Sequence, residues 1–343
     1  MGKVIITGTT GQDGSYMVDY LLANTKHEIY GGVRRLSVKN HKNIDHVKDP
    51  RFKLIDLDVT DPVNISGTIE TIQPDYFINL AANSFVGNSW DMPINHFTTN
   101  AMGVLYQLEA IRRYAPQCRY YNAGSSEEFG DVQYSPQDEN HPLRPRSPYG
   151  ASKAAARHLV KVYRESYGLY AVQGWLFNHE SERRGEEFVT RKITNNVVDI
   201  YRDLVAGKEP KAFSLGNLDS RRDWSHAEDF VHGIWLMLNQ NNPNDYVLSS
   251  NETHSVRDFV VKSMQLLDIE GSFCGEGLDE KFISNGKVLV EISPKFYRPA
   301  EVELLLGDSS KAREELNWSP DNNFSELVAR MITQDLNDRL NNV

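Results

Sequence analysis

The chain has 343 residues, 40% of them hydrophobic and 24% charged, which is enough apolar material for one large α/β domain with a second lobe and too much for a disordered protein. A formal charge of -10 and a pI near 5.5 exclude the continuous positive field that binding to nucleic acid or a membrane surface requires, and no apolar run reaches membrane-spanning length. Met1-Gly2-Lys3-Val4-Ile5-Ile6 runs straight into a strand without signal-peptide architecture, so a cytoplasmic protein is expected. Cys118 and Cys274 lack paired spacing, so both are expected to be buried, inert thiols, and no metal site is suggested.

Short β-branched runs alternate with longer amphipathic stretches through the first half, the pattern of a doubly wound parallel sheet, a Rossmann-type α/β fold. The expected strands are Val4–Thr7, Glu28–Val33, Phe52–Asp56, Tyr76–Leu80, Arg119–Asn122 and Ala171–Leu176. Between them fall helices at Ser15–Ala23, Asn64–Ile72, Thr99–Tyr114 and Tyr149–Tyr167. After about Phe177 the regularity loosens into a helix over Val189–Val205, a short strand over Ala212–Leu215 and helices starting near His226, Val256 and Ser309. The expected division is a nucleotide-binding part over residues 1–177 and a smaller mixed α/β lobe over 178–343, with segments crossing between them. The lobe is expected at the carboxyl ends of the strands, where open α/β sheets bind ligands.

The first strand leads into "TGTTGQDGSY", which places Gly8, Gly11 and Gly14 three apart, looser than G-x-G-x-x-G but between a strand and a helix as a dinucleotide site demands. The first glycine permits the turn, the second lets the backbone approach a pyrophosphate, and the third allows close helix packing. About twenty residues on, the second strand ends in Arg34-Arg35, where a carboxylate would suit NAD and an arginine suits the 2'-phosphate of NADP, so NADP is expected. Asp58, after the third strand, reads either as an acceptor for the adenine amino group or as a turn aspartate in Asp58-Val59-Thr60-Asp61.

Beyond the fifth strand lies Gly124-Ser125-Ser126-Glu127-Glu128, where Ser125 and Glu127 share a side if the segment is extended and where Ser followed by Glu also reads as helix capping. Tyr149 and Lys153 in "SPYGASK" stand four apart at a helix start set by Pro148, so both project from one face, and the ammonium is expected to pull the phenol from about 10 toward neutrality. A hydroxyl, a carboxylate, a phenol and an ammonium thus form one candidate set.

These segments, with "GGVRRLS", "NLAANS", "GSSEEFG", "RSPYGASK", "YRESYG", "LFNHESERRGEEFVTRKI", "LGNLDSRRDW" and "FYRPAEVELLLGD", resemble the extended short-chain dehydrogenase/reductases and, within them, the GDP-mannose 4,6-dehydratase family over essentially the whole chain. The resemblance implies catalytic roles for Ser125, Glu127, Tyr149 and Lys153. It implies cofactor contacts at Gly8, Thr10, Gly11, Gln12, Asp13, Gly14, Arg34, Arg35, Ser37, Asp58, Val59, Leu80, Ala82, Ser84, His179 and Arg184, besides Tyr149 and Lys153. The sugar nucleotide falls to Ser84, Ser125, Glu127, Asn178, Val189, Lys192, Gly216, Arg222, Arg298 and Glu301. His179 also reads as a structural hydrogen-bonder.

The implied reaction is an NADP-dependent internal redox dehydration of a GDP-manno-sugar by a homodimer or homotetramer, with Arg35 and Ser37 near a subunit contact. The chain departs from the family pattern at Ser125 (usually threonine), Asn83 (usually glutamine) and Glu182 (usually proline). Serine leaves room for a GDP-manno-heptose as the alternative substrate. A GDP-sugar C4 epimerase or reductase, which needs no carboxylate for C5, and an NADP-sensing scaffold are the other readings.

Overall fold

The computed structural model describes residues 1–296, 302 and 304–341. The first half runs β1 (Lys3–Thr7), α1 (Gln12–Asn24), β2 (Glu28–Val33), β3 (Phe52–Asp56), α2 (Pro62–Ile72), β4 (Tyr76–Asn79), α3 (Pro93–Phe97), α4 (Gly103–Tyr114), β5 (Arg119–Ala123), α5 (Pro148–Tyr167) and β6 (Ala171–Leu176). The second runs β7 (Asn178–Glu180), α6 (Val189–Val205), β8 (Phe213–Leu215), β9 (Arg221–Arg222), β10 (Trp224–His226), α7 (Ala227–Leu238), β11 (Tyr246–Leu248), β12 (His254–Ser255) and α8 (Val256–Gln265). It continues through β13 (Ser272–Cys274), β14 (Lys281–Ser284), β15 (Lys287–Ile292), β16 (Leu304–Leu305), α9 (Ser310–Leu316) and α10 (Phe324–Asn341).

Seven parallel strands form the main sheet in the order β11-β6-β5-β4-β1-β2-β3, a doubly wound sheet whose order reverses between β1 and β4. The strands expected from alternation fall within a residue of those observed. Alternation also explains why the sheet is covered twice. Val4 and Ile6 of β1, Ile78, Tyr121 and Val172 enter one core with Met17, Val18 and Leu21 of α1 and Phe230, Val231 and Ile234 of α7. Ile5, Phe77, Tyr120 and Ala171, their neighbours in sequence, enter the opposite core with Ile65 and Ile69 of α2, Val104 and Leu108 of α4, and Val160 of α5. A strand buried on both faces needs apolar residues at successive positions, which β1 supplies as Val4-Ile5-Ile6.

Three features differ from the sequence reading. The helix expected over Thr99–Tyr114 is a π-helical segment (Thr98–Met102) followed by α4, and the short α3 precedes it. The wide turn lets Asn100 receive the Asn83 N–H (2.9 Å) and donate to the Asn83 carbonyl (3.2 Å) and to Ser152 Oγ (3.1 Å), which locks the loop after β4. The seventh strand, β11, comes from the second half, and α7 packs against α1, so residues 227–248 belong to the large sheet. Cys118 is buried, and burial pushes its thiol up, but Cys274 is exposed: it lies on β13, where alternation turns Phe273 inward and Cys274 to solvent.

The smaller lobe has its own core, with Ile193, Val197 and Val198 of α6, Phe259 and Val260 of α8, Val290 of β15, and Leu327, Val328 and Met331 of α10. Side chains from α1 dock onto it. Gln12 Nε2 donates to the His179 carbonyl (3.0 Å) and Gln12 Oε1 accepts from Ser181 Oγ (2.7 Å). Tyr16 Oη donates to Glu182 (2.7 Å), which also receives His226 Nε2 (3.0 Å) and Arg330 Nε (3.0 Å). His179 places Nδ1 on the Phe177 carbonyl (2.7 Å) and Nε2 on Asp13 (3.0 Å), so both ring nitrogens face acceptors and both carry protons.

Asp245, nearly buried, accepts from Arg157 (2.7 Å), from Arg164 (2.8 and 2.7 Å) and from the Gln173 N–H (2.8 Å), tying β11 to α5 and β6. Asp245→Ala leaves two largely buried guanidinium groups without their carboxylate and is expected to cost about 3 kcal/mol, read as a lowered urea midpoint.

For the Asp13–His179 pair, burial opposes both charges. The partners outweigh it, holding Asp13 down at about 2 and raising His179 above its ordinary 6.5. The aspartate contribution is present above its unfolded pKa near 4 and lost only as pH falls through about 2. The histidine contribution is present below about 6.5 and lost as pH rises through the elevated folded value. The Tm gap between wild type and His179→Gln is therefore expected to be widest near pH 5 to 6 and to narrow by about pH 9, as followed by thermal unfolding.

Candidate active site

A cleft of about 650 Å3 opens at the carboxyl ends of β1, β4, β5 and β6, walled on the far side by β7, the start of α6, and the segments around β8 to β10. The β1–α1 turn next to Asp13 of the cleft wall depends on missing side chains. Gly8 has φ +68°, and a Cβ there would lie 2.7 Å from the Leu80 carbonyl carbon; a Cβ on Gly14 would lie 2.2 Å from the Gly8 oxygen. The β1–α1 turn is pressed against both β4 and its own helix, as the glycine spacing predicts. Helix α1 starts at Gly11, which has no side chain to cap its first N–H groups, and an uncapped helix N-terminus in a glycine cradle suits a pyrophosphate.

Ser125 ends the extended segment after β5 and caps a single turn over Ser126–Glu128, its Oγ accepting the Glu127 N–H (3.2 Å) while Glu128 Oε1 accepts the Ser125 N–H (2.8 Å). The capping reading holds, Glu128 (0% exposed) completing the capping box; the segment turns rather than extends, and Ser125 and Glu127 both line the cleft. Ser147 caps α5 by accepting the Gly150 N–H (3.0 Å), and Pro148 occupies its first turn. Tyr149 and Lys153 then project from one face into the cleft, and Lys153 Nζ donates to the Ala123 carbonyl (2.8 Å).

The electrostatics correct one expectation. Burial pushes the Tyr149 phenol up rather than toward neutrality; the Ser125 hydroxyl and Arg184 pull against it, and the carboxylates of Glu127 and Glu128 add to it. The Lys153 ammonium, hydrogen-bonded to the Ala123 carbonyl, lies 5.9 Å from the phenol ring centroid. Burial in turn brings Lys153 down to about 8, with Glu128 and Asp13 pulling the other way.

The other sequence-predicted residues divide by place. Asp13, Leu80, Ala82, Ser84, His179 and Arg184 line the cleft on the glycine-loop side, and Asn178, Val189, Lys192, Gly216 and Arg222 line the far side. Asn178 Oδ1 is buried without a hydrogen-bond partner among the described residues, an acceptor open to a ligand. Gly11 and Thr10 complete the loop, where the Thr10 carbonyl accepts from Asn43 (3.1 Å), while Gln12 is turned away to the His179 and Ser181 contacts. Arg34, Arg35 and Ser37 are exposed beyond β2. Asp58 is a turn aspartate, its Oδ1 accepting the Thr60 N–H (2.9 Å) and hydroxyl (2.7 Å), and the buried Val59 packs under Gly103 of α4. Arg298 and Glu301 lie outside the described residues.

Sequence reasoning missed the aromatic covers. Arg184 lies over the Phe188 ring (3.5 Å) and Lys192 Nζ over the Phe296 ring (3.4 Å), so two cations of the cleft are each backed by a ring. Phe188 stands four residues beyond Arg184, a signal that was available; Phe296 is over one hundred residues from Lys192, and nothing local marks it. Among the described residues no group of three or more His, Cys, Asp or Glu side chains is placed to hold a metal ion, and no helix is long and apolar enough to cross a membrane.

Comparison with known proteins gives one answer. The profile of the GDP-mannose 4,6 dehydratase family matches residues 5–331. The chain is 45% identical to a GDP-mannose 4,6 dehydratase of Drosophila melanogaster (97% of this chain, 85% of that one). It is 43% identical to one of Vibrio cholerae (97% and 94%) and 42% identical to one of Homo sapiens (98% and 93%). Among solved structures, it shares its fold with a dTDP-glucose 4,6-dehydratase of Bacillus anthracis in complex with NAD (TM-score 0.81, 19% identity, 99% and 98% covered). RMD of Pseudomonas aeruginosa complexed with NADPH also shares it (TM-score 0.76, 17% identity, 98% and 100% covered). A glycine cradle at the sheet's switch point, a four-residue polar set at its edge and this likeness along nearly the whole length together make the chain a member of the GDP-mannose 4,6-dehydratase family.

Proposed function

We propose that this protein converts GDP-mannose to its 4-keto-6-deoxy product with loss of one water, using NADP as a resident hydride carrier. The observation that carries this reading is Glu127: a carboxylate in the same cleft as the Tyr149, Lys153 and Ser125 set, which oxidation and re-reduction at C4 alone would not require. Membership of the family supports the substrate. A nicotinamide is supported by the glycine cradle, and by fold neighbours that carry NAD in one case and NADPH in another.

When bound beside the glycine turn, a nicotinamide would supply reversible hydride chemistry for the oxidation at C4 and the reduction at C6. The chain's own groups move the protons. Tyr149 as phenolate takes the proton of the C4 hydroxyl, with the Lys153 ammonium and the Ser125 hydroxyl favouring its charge. The 4-ketone acidifies the C5 hydrogen; Glu127 takes it as a proton and passes it to the C6 hydroxyl, which leaves as water with Ser125 positioning it. The proton taken from the C4 hydroxyl balances the one returned to C5, so the cycle is redox-neutral and releases one water. Asn178, Val189, Lys192, Gly216 and Arg222 would hold the GDP part, Lys192 and Arg222 offering positive charge to the diphosphate.

Incubation of purified protein with GDP-mannose, without added cofactor, is expected to yield a product lighter by one water in mass spectrometry. Glu127→Gln should keep hydride exchange at C4, seen as nicotinamide absorbance, while slowing water loss by about a hundredfold or more, and Tyr149→Phe should lose both. Water loss at wild-type rate in Glu127→Gln would return the reading to an epimerase or reductase. Arg34 and Arg35 are read as the 2'-phosphate contacts. Their double replacement by alanine should weaken NADP binding by about tenfold or more and leave NAD binding nearly unchanged, as measured by calorimetry.

A further inference from the structure

Four adjacent strands carry one buried polar side chain each at matching register. Thr7 of β1 stands beside Asn79 of β4, Asn79 beside Asn122 of β5, and Asn122 beside Gln173 of β6, all at most 4% exposed. Thr7 Oγ1 donates to Asn79 Oδ1 (2.6 Å), Asn79 Nδ2 to Asn122 Oδ1 (2.9 Å) and Asn122 Nδ2 to Gln173 Oε1 (2.7 Å). Gln173 Nε2 donates to both oxygens of Glu128 (3.1 and 3.2 Å). Every bond points the same way. The sense follows from the last link, because a carboxylate only accepts: Gln173 must present its NH2, which leaves its oxygen for Asn122, and so back to Thr7. Such chains polarise in one direction and strengthen toward the anion.

The other groups on Glu128 are also N–H donors: Trp175 Nε1 (3.0 Å) and the Ser125 backbone (2.8 Å). Its charged and titratable neighbours are Lys153, Arg157 and Tyr149 of α5 and Tyr121 of β5, with Arg157 shared with Asp245. Burial pushes the Glu128 carboxyl up to about 7, with the Ser125 N–H, Lys153, Arg157 and Trp175 opposing; above that pH it is an anion beside an ammonium that burial has brought down to about 8.

We propose that Glu128, which touches none of the reacting atoms, is a positioning residue for the dehydration inferred above, on which this proposal rests. Its carboxylate, fixed by the one-way ladder, holds the Ser125 N–H (2.8 Å), two residues beyond the Ala123 carbonyl that carries the Lys153 ammonium (2.8 Å), and so sets a negative charge beside that ammonium. Removing a neighbouring negative charge lowers the pH at which an ammonium loses its proton. In protein as purified, Glu128→Gln and Glu128→Leu are therefore expected to bring Lys153 deprotonation, followed by NMR on isotope-labelled lysine and assigned with Lys153→Met, down by about one pH unit. The alkaline limb of kcat should move with it while KM for GDP-mannose stays within about twofold. Glu128→Asp keeps the charge and so the limb, and loses kcat because the shorter arm cannot reach the Ser125 N–H.

The leucine variant introduces no competing donor and carries the test if the glutamine variant does not fold. Lys153 titrating at its wild-type pH in either charge-removing variant overturns the proposal, as does an equal shift in Glu128→Asp. If the wild type released no water from GDP-mannose, the functional reading would fail, and the lysine titration would still judge the electrostatic link.

Discussion

Burial of the parallel sheet on both faces is the constraint from which the site follows. Helices α1 and α7 on one side and α2, α4 and α5 on the other bury the central strands on both faces. Polar chemistry can emerge only where the strands end, and polar residues inside must find one another. The cleft at the carboxyl ends and the Thr7-to-Glu128 ladder are two consequences of that geometry. The order reversal between β1 and β4 opens the crevice, and the absence of side chains at Gly8 and Gly14 lets the β1–α1 turn pack against β4 and α1 beside it.

Much of this was legible in the sequence where short periodicity carried it. Val4-Ile5-Ile6 followed by Gly8, Gly11 and Gly14 identifies a strand, a turn and a helix because each needs only neighbours a few residues away. Tyr149 and Lys153 are legible as a pair because helix geometry alone brings them to one face. The family resemblance then extends to residues such as Asn178, Lys192 and Arg222, whose convergence depends on β7, α6 and β9 meeting in space.

What escaped the sequence is long-range. The π-helical segment at Thr98–Met102 leaves an ordinary helical pattern in the sequence, since the extra residue per turn is set by Asn100 reaching Asn83 and Ser152. The expectation for Tyr149 rests on the Lys153 charge four residues away, whereas the burial that pushes the phenol up comes from elements distant in sequence. Glu128 sits next to Glu127 in sequence; only Gln173 and Trp175, forty-five and forty-seven residues on, distinguish a buried anion from a cleft-lining one.

The return of residues 227–248 to the large sheet bears on how the chain comes to be folded at all. Strand β11 and helix α7 arrive after the polypeptide has already entered the smaller lobe, so the edge of β6 and one face of α1 stay uncovered while some fifty residues of other structure intervene. During synthesis the first 177 residues would emerge with an unpaired strand edge and an apolar helix face, the kind of surface that invites mispairing. The non-local closure of the sheet costs loop entropy before its contacts form, and the cleft is complete only once residues as late as Lys295 and Phe296 have reached it.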